Sequence, residues 1–189
     1  MATGLARRFF RWIGPATLAE FQWFSALGAK AAKAAVEPLK LEPADQGSAL
    51  LMLPEDRERL EAFQAPGQAR YELVASIDGI TLLKRNTKDL LDPADAEHPL
   101  FREKAYAGGV IDLPSHGIFD RGRLVGLWEF DTATGSIAWT AFVPKNRELT
   151  KAVAQTEEYV RGELGDARAY SLDSPKSRAP RVEALRGAG

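Results

Sequence analysis

Residues 28–53 read GAKAAKAAVEPLKLEPADQGSALLML, and this stretch decides the fold of the N-terminal part of the chain. Its first part, residues 28–37, has the spacing of an amphipathic helix, with small apolar side chains on one side and Lys30 and Lys33 on the other. Pro38 ends the helix, because a proline lacks a backbone donor and clashes with the preceding turn. We therefore predict a short helix that buries alanines and exposes lysines.

A β-hairpin is predicted directly after this helix. Residues 39–42 alternate between apolar and polar side chains, which is the period of a half-buried strand. Residues 43–48 contain the proline, glycine and serine that are typical of a turn, and residues 49–53 form a second apolar run. The order of strand, turn and strand indicates a hairpin.

Two more helices are predicted before residue 28. The first spans residues 5–13, and a glycine-proline pair ends it. Its predicted apolar stripe consists of Leu5, Phe9, Trp12 and Ile13. Thr17 and Glu20 have the Thr-x-x-Glu spacing of a capping box, which opens the second helix. Three short helices followed by a hairpin is the order of a winged helix, whose third helix enters the DNA major groove while the hairpin lies along the backbone.

The remaining chain is rich in β signals. Residues 71–77 and 80–84 flank Asp78-Gly79, which predicts a two-residue hairpin turn. A second β unit is predicted, with strands at residues 117–120, 123–130 and 136–143. Gly126 inside a strand indicates a bulge or a close backbone approach. A last helix is predicted over residues 147–164, followed by a basic tail from Ser171.

These elements predict an α+β fold with two domains. The first, residues 1–64, is a winged helix. The second, residues 70–189, is a β-rich, barrel-like domain with the C-terminal helix and the basic tail. A short stretch containing proline and glycine, residues 64–68, links them.

The composition excludes several function classes. The chain has 189 residues, no cysteine and two histidines, His98 and His116. A disulfide scaffold, a thiolate nucleophile and a Cys-ligated metal are therefore excluded, and we expect neither a metal nor a cofactor. The longest uncharged run, residues 132–144, is too short to span a bilayer, and arginines interrupt the N-terminus. We expect a cytoplasmic protein without a membrane partner.

The charge is unevenly distributed along the chain. The formal net charge is -1, yet residues 1–40 contain six Lys or Arg and two acids, a net charge of +4. Residues 41–105 contain eight bases and thirteen acids, and residues 106–189 contain eleven of each. A basic segment on an otherwise acidic chain is compatible with a nucleic-acid partner despite the net charge.

Two groups of basic residues are candidates for contact with DNA phosphates. The first group lies on the predicted N-terminal helices and consists of Arg7, Arg8, Arg11, Lys30 and Lys33. The second group is Arg121 and Arg123, which flank a predicted hairpin tip. Each neutralised phosphate releases counterions, so such contacts make binding dependent on salt. The alternatives are a solvated helix face and a charged turn that keeps a strand edge soluble.

Residues that could carry acid–base chemistry are few. The carboxylates near predicted strand ends are Asp78, Asp120, Glu129 and Asp131, and His116 could act as a general base. Turn formation explains Asp78 and Asp131 equally well. Ser171 to Arg178 could hold a phosphate, although Ser174-Pro175 also fits the start of a helix. We expect all four tryptophans in the core, namely Trp12, Trp23, Trp128 and Trp139.

Several motifs in order resemble the AlkZ-like DNA glycosylases. RWIGPATLAEF at residues 11–21 and WFSALG at residues 23–28 are similar to a winged-helix module of that family. DRGRLVGLW at residues 120–128 is similar to the β segment that follows such modules. LGDAR at residues 164–168 and SLDSP at residues 171–175 extend the resemblance over nearly the whole chain.

The resemblance implies a bacterial DNA-repair function. Members of the family hydrolyse the N-glycosidic bond of alkylated or cross-linked bases, and a Gln-x-Gln or Gln-x-Asp motif positions the water. Neither motif is found here, since Gln22 is followed by Trp23 and Phe24. The resemblance is therefore to the C-terminal half of a longer member, and no catalytic residue is assigned.

The leading hypothesis is a protein that binds double-stranded DNA through its backbone with little sequence preference. It acts alone or beside a catalytic partner domain or chain. One alternative is an active glycosylase that uses Asp78 or Glu129, and another is a non-catalytic scaffold. The lesion and the oligomeric state stay open at this point.

Overall fold

The computed structural model describes residues 1–83, 90–95, 98, 100, 113–165 and 173–188. Parts of three sequence predictions lie outside these residues: the strand end at Lys84, the motif at 166–168 and the serine-containing stretch at 171–172. The chain divides into two compact units, Met1–Ala65 and Pro66–Gly189. Each unit combines helices with an antiparallel ladder, so the fold class is α+β.

The first unit begins with three short helices. These are α1 (Ala2–Ile13), α2 (Leu18–Ser25) and α3 (Ala29–Val36). The predicted capping box is confirmed, because the Thr17 hydroxyl accepts from the backbone N–H of Glu20 and the Glu20 carboxylate accepts from that of Thr17. These reciprocal bonds satisfy backbone donors that a helix start leaves without partners.

The buried face of α1 differs from the predicted stripe. Its buried residues are Ala6, Phe9, Phe10 and Ile13. Phe9 and Phe10 pack on Phe21 of α2 with ring centroids 5.4 Å and 5.9 Å apart. Leu5 and Trp12 are exposed instead, so including them in the core was wrong. Helix α1 turns Phe9 and Phe10 toward the core, because two adjacent phenylalanines bury more apolar area than the Leu5–Trp12 edge would.

The three helices of the first unit are followed by a short β-hairpin. Strands β1 (Glu42–Pro43) and β2 (Leu51–Met52) pair antiparallel. The hairpin is shorter than predicted, because Leu39 belongs to a 3₁₀ turn, Glu37–Leu39, and is buried in the core. A 3₁₀ turn, Pro54–Asp56, then leads into α4 (Arg57–Ala62).

The second unit contains a four-stranded antiparallel sheet in the order β3-β4-β5-β6. The strands are β3 (Tyr71–Val74), β4 (His116–Asp120), β5 (Arg123–Asp131) and β6 (Ser136–Ala141). The helices are α5 (Gly79–Leu82), α6 (Arg147–Tyr159) with a π-helical turn (Val160–Leu164), and α7 (Pro175–Gly187). Within the described residues the sheet is open, and the predicted barrel is not seen.

The prediction of a hairpin at Asp78-Gly79 was wrong. The Asp78 side chain accepts a hydrogen bond of 2.9 Å from the backbone N–H of Ile80 and caps α5. Aspartate caps a helix as readily as it opens a turn, so the local signal had two solutions. The strand that pairs with β3 is β4, more than 40 residues further along the chain.

Both faces of the sheet are covered. One face contributes Phe119, Leu124 and Leu127 to a cluster with Val182 and Leu185 of α7. The other face contributes Ile118, Trp128 and Phe130 to a cluster with Leu149 and Val153 of α6. The segment predicted as a basic tail thus contains α7, a helix that forms part of the core.

A bulge in β5 sets which side chains face each helix. Ile118 pairs with Gly126 and Phe119 with Leu124, which leaves Val125 as the extra residue. A Cβ on Gly126 would lie 2.4 Å from the carbonyl oxygen of Thr140. Both predictions for Gly126 are confirmed: it lies beside a bulge, and the backbone of the neighbouring strand approaches it closely. No helix among the described residues is long and apolar enough to cross a membrane.

Candidate nucleic-acid interface

Helix α3 places two lysines on a solvent-exposed face. Ala32 and Ala35 are buried, and alanine lets α3 approach α1 and α2 closely. Lys30 and Lys33 are exposed on the other side, as predicted. Neither lysine has an ion pair with a described residue. Both charges are therefore available for an anionic ligand.

The N-terminus of α3 lacks the groups that usually compensate a helix start. Gly28 is the N-cap and has no side chain to accept from the free backbone N–H groups, and the first turn holds no acid. The positive end of the helix dipole favours anions, so the cation Lys30 is unfavourable there without one. Free backbone donors and two exposed lysines therefore lie together at the start of α3, an arrangement at which anions bind in other proteins.

Arg7 and Arg11 of α1 share one carboxylate. Both guanidinium groups bind Glu55, Arg11 through Nη2 at 3.1 Å. The three side chains are about half exposed and carry a net charge of +1. Arg8 is exposed on another face of α1 and makes no ion pair with any residue that the structure describes.

Arg121 and Arg123 lie in the second unit, and both are paired with acids. Arg121 binds the carboxylate of Asp120 at 2.8 Å and the carbonyl oxygen of Pro66 at 3.0 Å. This bond from Arg121 holds the pKa of Asp120 below its usual range. Arg123 binds Asp92 at 2.8 Å. These partners neutralise the turn that was expected to be basic.

A buried ionic cluster joins β5 to α7. Glu129 is 1% exposed, and its Oε1 accepts from Nε of Arg181 at 2.6 Å. Arg181 also binds Asp173 through Nη2 at 2.9 Å. The side chain of Arg178 is buried and lies 3.5 Å from Asp173. The Glu129 carboxylate therefore neutralises the charge of Arg181 on α7 and is inaccessible to solvent.

The sequence reading placed Glu129 near a strand end and did not find this cluster. One signal was present: Glu129 is the only charged residue of the run LVGLWEF, residues 124–130. A carboxylate inside an apolar strand is buried with a cationic partner, since an unpaired buried charge is very unfavourable. The identity of the partner depends on a helix 52 positions away.

His116 is positioned as a structural residue beside this cluster. Its Nδ1 accepts from the backbone N–H of Ser76 at 3.0 Å, and its Nε2 lies 4.0 Å from Glu129. The ring packs on Trp128 with centroids 4.6 Å apart. Burial lowers the pKa of His116, although the charge of Glu129 opposes the shift. The imidazole therefore has its acceptor nitrogen occupied by a backbone bond.

The other predicted polar candidates have local structural partners. Burial raises the pKa of Asp131, but hydrogen bonds from Ala133, Thr134 and Arg186 outweigh it and hold the pKa below its usual value. Ser174 caps α7 with a capping box to Ser177, which confirms the helix start expected there. The ring of His98 is half-buried and lies 4.9 Å from that of Phe142.

The expectation of four core tryptophans was half wrong. Trp128 is 7% exposed, and its Nε1 donates to the carbonyl oxygen of Gly117. Trp139 is half-buried, with the ammonium of Lys145 5.0 Å from its ring centre. Trp12 and Trp23 are 77% and 48% exposed. Periodicity alone could not tell a buried helix face from its edge.

The comparisons with known proteins identify the family. The family model described as DNA glycosylase AlkZ-like matches residues 2–179, nearly the whole chain. The chain belongs to the AlkZ-like family. The resemblance seen in the sequence is thereby confirmed, and the chain is related to proteins of DNA repair. A comparison with curated proteins finds no match.

A solved structure of an AlkZ protein shares the fold. Streptomyces sahachiroi DNA glycosylase AlkZ superposes with a TM-score of 0.58 at 21% sequence identity. The match covers 85% of this chain and 42% of that chain. The chain therefore spans less than half the length of this AlkZ-like relative. At this identity the likeness establishes the fold.

Proposed function

We propose that the first unit is a winged-helix module that binds double-stranded DNA through its phosphate backbone. The order of elements supports this assignment: three helices precede a two-stranded ladder, and α3 occupies the place of a recognition helix. Family membership supports DNA as the partner. The proposed contacts are Lys30 and Lys33, with Arg7, Arg8 and Arg11 of α1 in the same unit.

The observation that carries this proposal is the uncompensated start of α3. Gly28 offers no capping side chain, and Lys30 lies within the first turn. The long helices of the second unit begin differently, since Asn146 caps α6 and Ser174 caps α7. A phosphate at α3 would accept from its free N–H groups and neutralise both lysines.

Little sequence preference is expected from these residues. Lysine ammonium groups are point charges that bind phosphate oxygens, whereas base recognition relies on bidentate arginine, asparagine or glutamine. The only residues of α3 other than Lys30 and Lys33 are alanines and one valine. The module is therefore suited to holding DNA and less suited to reading it.

For catalysis we propose a separate domain or chain. Of the two carboxylates considered for an active glycosylase, Asp78 caps α5 and Glu129 is buried against Arg181. Neither is free to activate a water on a substrate. We also propose that the second unit supports the module, because Arg121 and Arg123 are already neutralised by acids.

The test is a salt titration of binding to a random duplex, followed by fluorescence anisotropy. The Lys30→Gln, Lys33→Gln double variant should bind more weakly than the unmodified chain. Its slope of log K against log salt should be smaller by about 1.8, because two phosphate contacts are lost.

The matched control is Lys145→Gln, Lys151→Gln, which removes the same charge from exposed lysines of the second unit. This control should keep the original slope. Equal losses in the two double variants would mean that only net charge matters, and the α3 site would be rejected. An unchanged slope in the Lys30, Lys33 variant would also reject it.

A further inference from the structure

Trp12 is exposed to an extent unusual for tryptophan in a folded unit. Its side chain is 77% exposed, at the end of the well-formed helix α1. Tryptophan is among the largest apolar side chains, and burying one normally stabilises a protein strongly. Among the described residues, no ring contact or hydrogen bond involves the Trp12 side chain. The first unit therefore gains little from this side chain.

The same chain shows what a structural tryptophan looks like. Trp128 is buried in the sheet, its Nε1 donates to Gly117, and its ring packs on His116. Trp12 has neither a hydrogen bond nor a packing partner of this kind. An exposed aromatic ring of this size is a candidate for contact with a ligand.

The surroundings of Trp12 are basic and apolar. Arg8 lies one helical turn before Trp12, and Leu5 lies on the same face at i, i+3 and i+7 spacing. Arg8 and Leu5 border a cleft of about 450 Å³ that also contacts Leu27. Residues 1–40 contain six bases and two acids, and one of the acids, Glu20, is held in the capping box of α2.

This chemistry fits one class of ligand. A flat ring next to a guanidinium group binds a base by stacking and the adjacent phosphate by charge, and every nucleobase has a face that can stack. The paired bases of a duplex stack on one another and are closed to such a ring. Single strands and unpaired positions leave the faces free.

We infer that the Arg8–Trp12 edge of α1 is a second DNA contact, which stacks on an unpaired base and binds its phosphate. This contact rests on the proposed DNA-binding function and adds to it a preference for DNA with unstacked bases. It is distinct from the proposed α3 site, which would bind the phosphate backbone of duplex DNA.

The experiment compares a labelled single strand with a duplex of the same length. Trp12→Ala should lower the affinity for the single strand by about fivefold or more and leave duplex affinity unchanged. Trp12→Phe should retain most of the single-strand affinity, because an aromatic ring is kept. Arg8→Gln should reduce the single-strand salt slope by about 0.7.

The matched control is Phe63→Ala, which removes another exposed aromatic side chain of this unit, 69% exposed. It should change neither affinity. Equal losses for single strand and duplex in Trp12→Ala, or no loss for either, would overturn the inference. So would a dimer that disappears in Trp12→Ala, since the edge would then join two copies of the chain.

The two DNA proposals can fail separately. If Lys30→Gln, Lys33→Gln binds duplex normally while Trp12→Ala loses the single strand, the α3 site falls and the stacking contact stands. If the unmodified chain binds neither the duplex nor the single strand, the proposed function itself is wrong.

Discussion

Nε of Arg181 donates a hydrogen bond of 2.6 Å to Oε1 of Glu129, which joins the middle of the sheet to the C-terminal helix. The carboxylate is almost fully buried, and the guanidinium group is 19% exposed. The same guanidinium group binds Asp173 just before α7. The helix is therefore held to the sheet by charge as well as by Val182 and Leu185.

Replacing Glu129 by glutamine should destabilise the second unit. Arg181 would lose the charge of its closest anionic partner but would keep Asp173, so the free energy of unfolding should fall by about 1.5–3 kcal/mol. Urea denaturation measures the change. Glu183→Gln, an exposed position on α7, is the control and should stay within about 0.5 kcal/mol of the original. Equal urea midpoints for the two variants would contradict this role of Glu129.

Stability should decrease as the pH falls below 6.5, the ordinary pKa of histidine. Burial lowers the pKa of His116 below its ordinary value of 6.5, so the unfolded chain takes up the proton first. The contribution of the neutral imidazole is complete above pH 6.5 and is lost as the pH falls through the lowered pKa. Urea midpoints measured across this range should show a smaller slope for His116→Asn. The same slope in both proteins would disprove the assignment.

Gly126→Ala should destabilise the sheet. The added Cβ would lie 2.4 Å from a backbone oxygen of the neighbouring strand, so β5 and β6 must separate locally. Overpacking of this kind typically costs about 1–3 kcal/mol. Thermal unfolding should show a lower Tm. Gly67→Ala, where the new Cβ meets no atom within 4 Å, is the control. A Tm equal to that of Gly67→Ala would argue against the close approach.

Glu55→Gln should strengthen binding to duplex DNA. Arg7 and Arg11 both bind the Glu55 carboxylate, so removing its charge releases two guanidinium groups for phosphate. The slope of log K against log salt should increase by about 0.9 or more. Glu58→Gln changes the net charge of the same unit equally at an exposed position on α4. An equal gain from Glu58→Gln would show a general charge effect and no role for the α1 arginines.

Local sequence signals predicted the elements whose stability is local. Thr17 and Glu20 form the predicted capping box, and Lys30 and Lys33 lie on the predicted exposed face of α3. These features depend on residues within one helical turn, so a pattern of a few positions is sufficient.

The incorrect predictions involve distant partners. Asp78 fits a turn or a cap, and only the pairing of β3 with β4 decides between them. Trp12 lies at the edge of an apolar stripe, and its exposure depends on how Phe9 and Phe10 pack on Phe21. The partner of Glu129 could not be read from spacing, because nothing local relates it to Arg181.

The separation of 52 positions between Glu129 and Arg181 also delays their contact during protein synthesis. A ribosome adding about 5–20 residues per second needs about 3 to 10 seconds to pass from one residue to the other. During that interval β5 has emerged with a carboxylate whose partner does not yet exist. The contact between β5 and α7 can form only after Arg181 has been synthesised. Until α7 has been made, β5 lacks the cation that neutralises Glu129 in the folded protein.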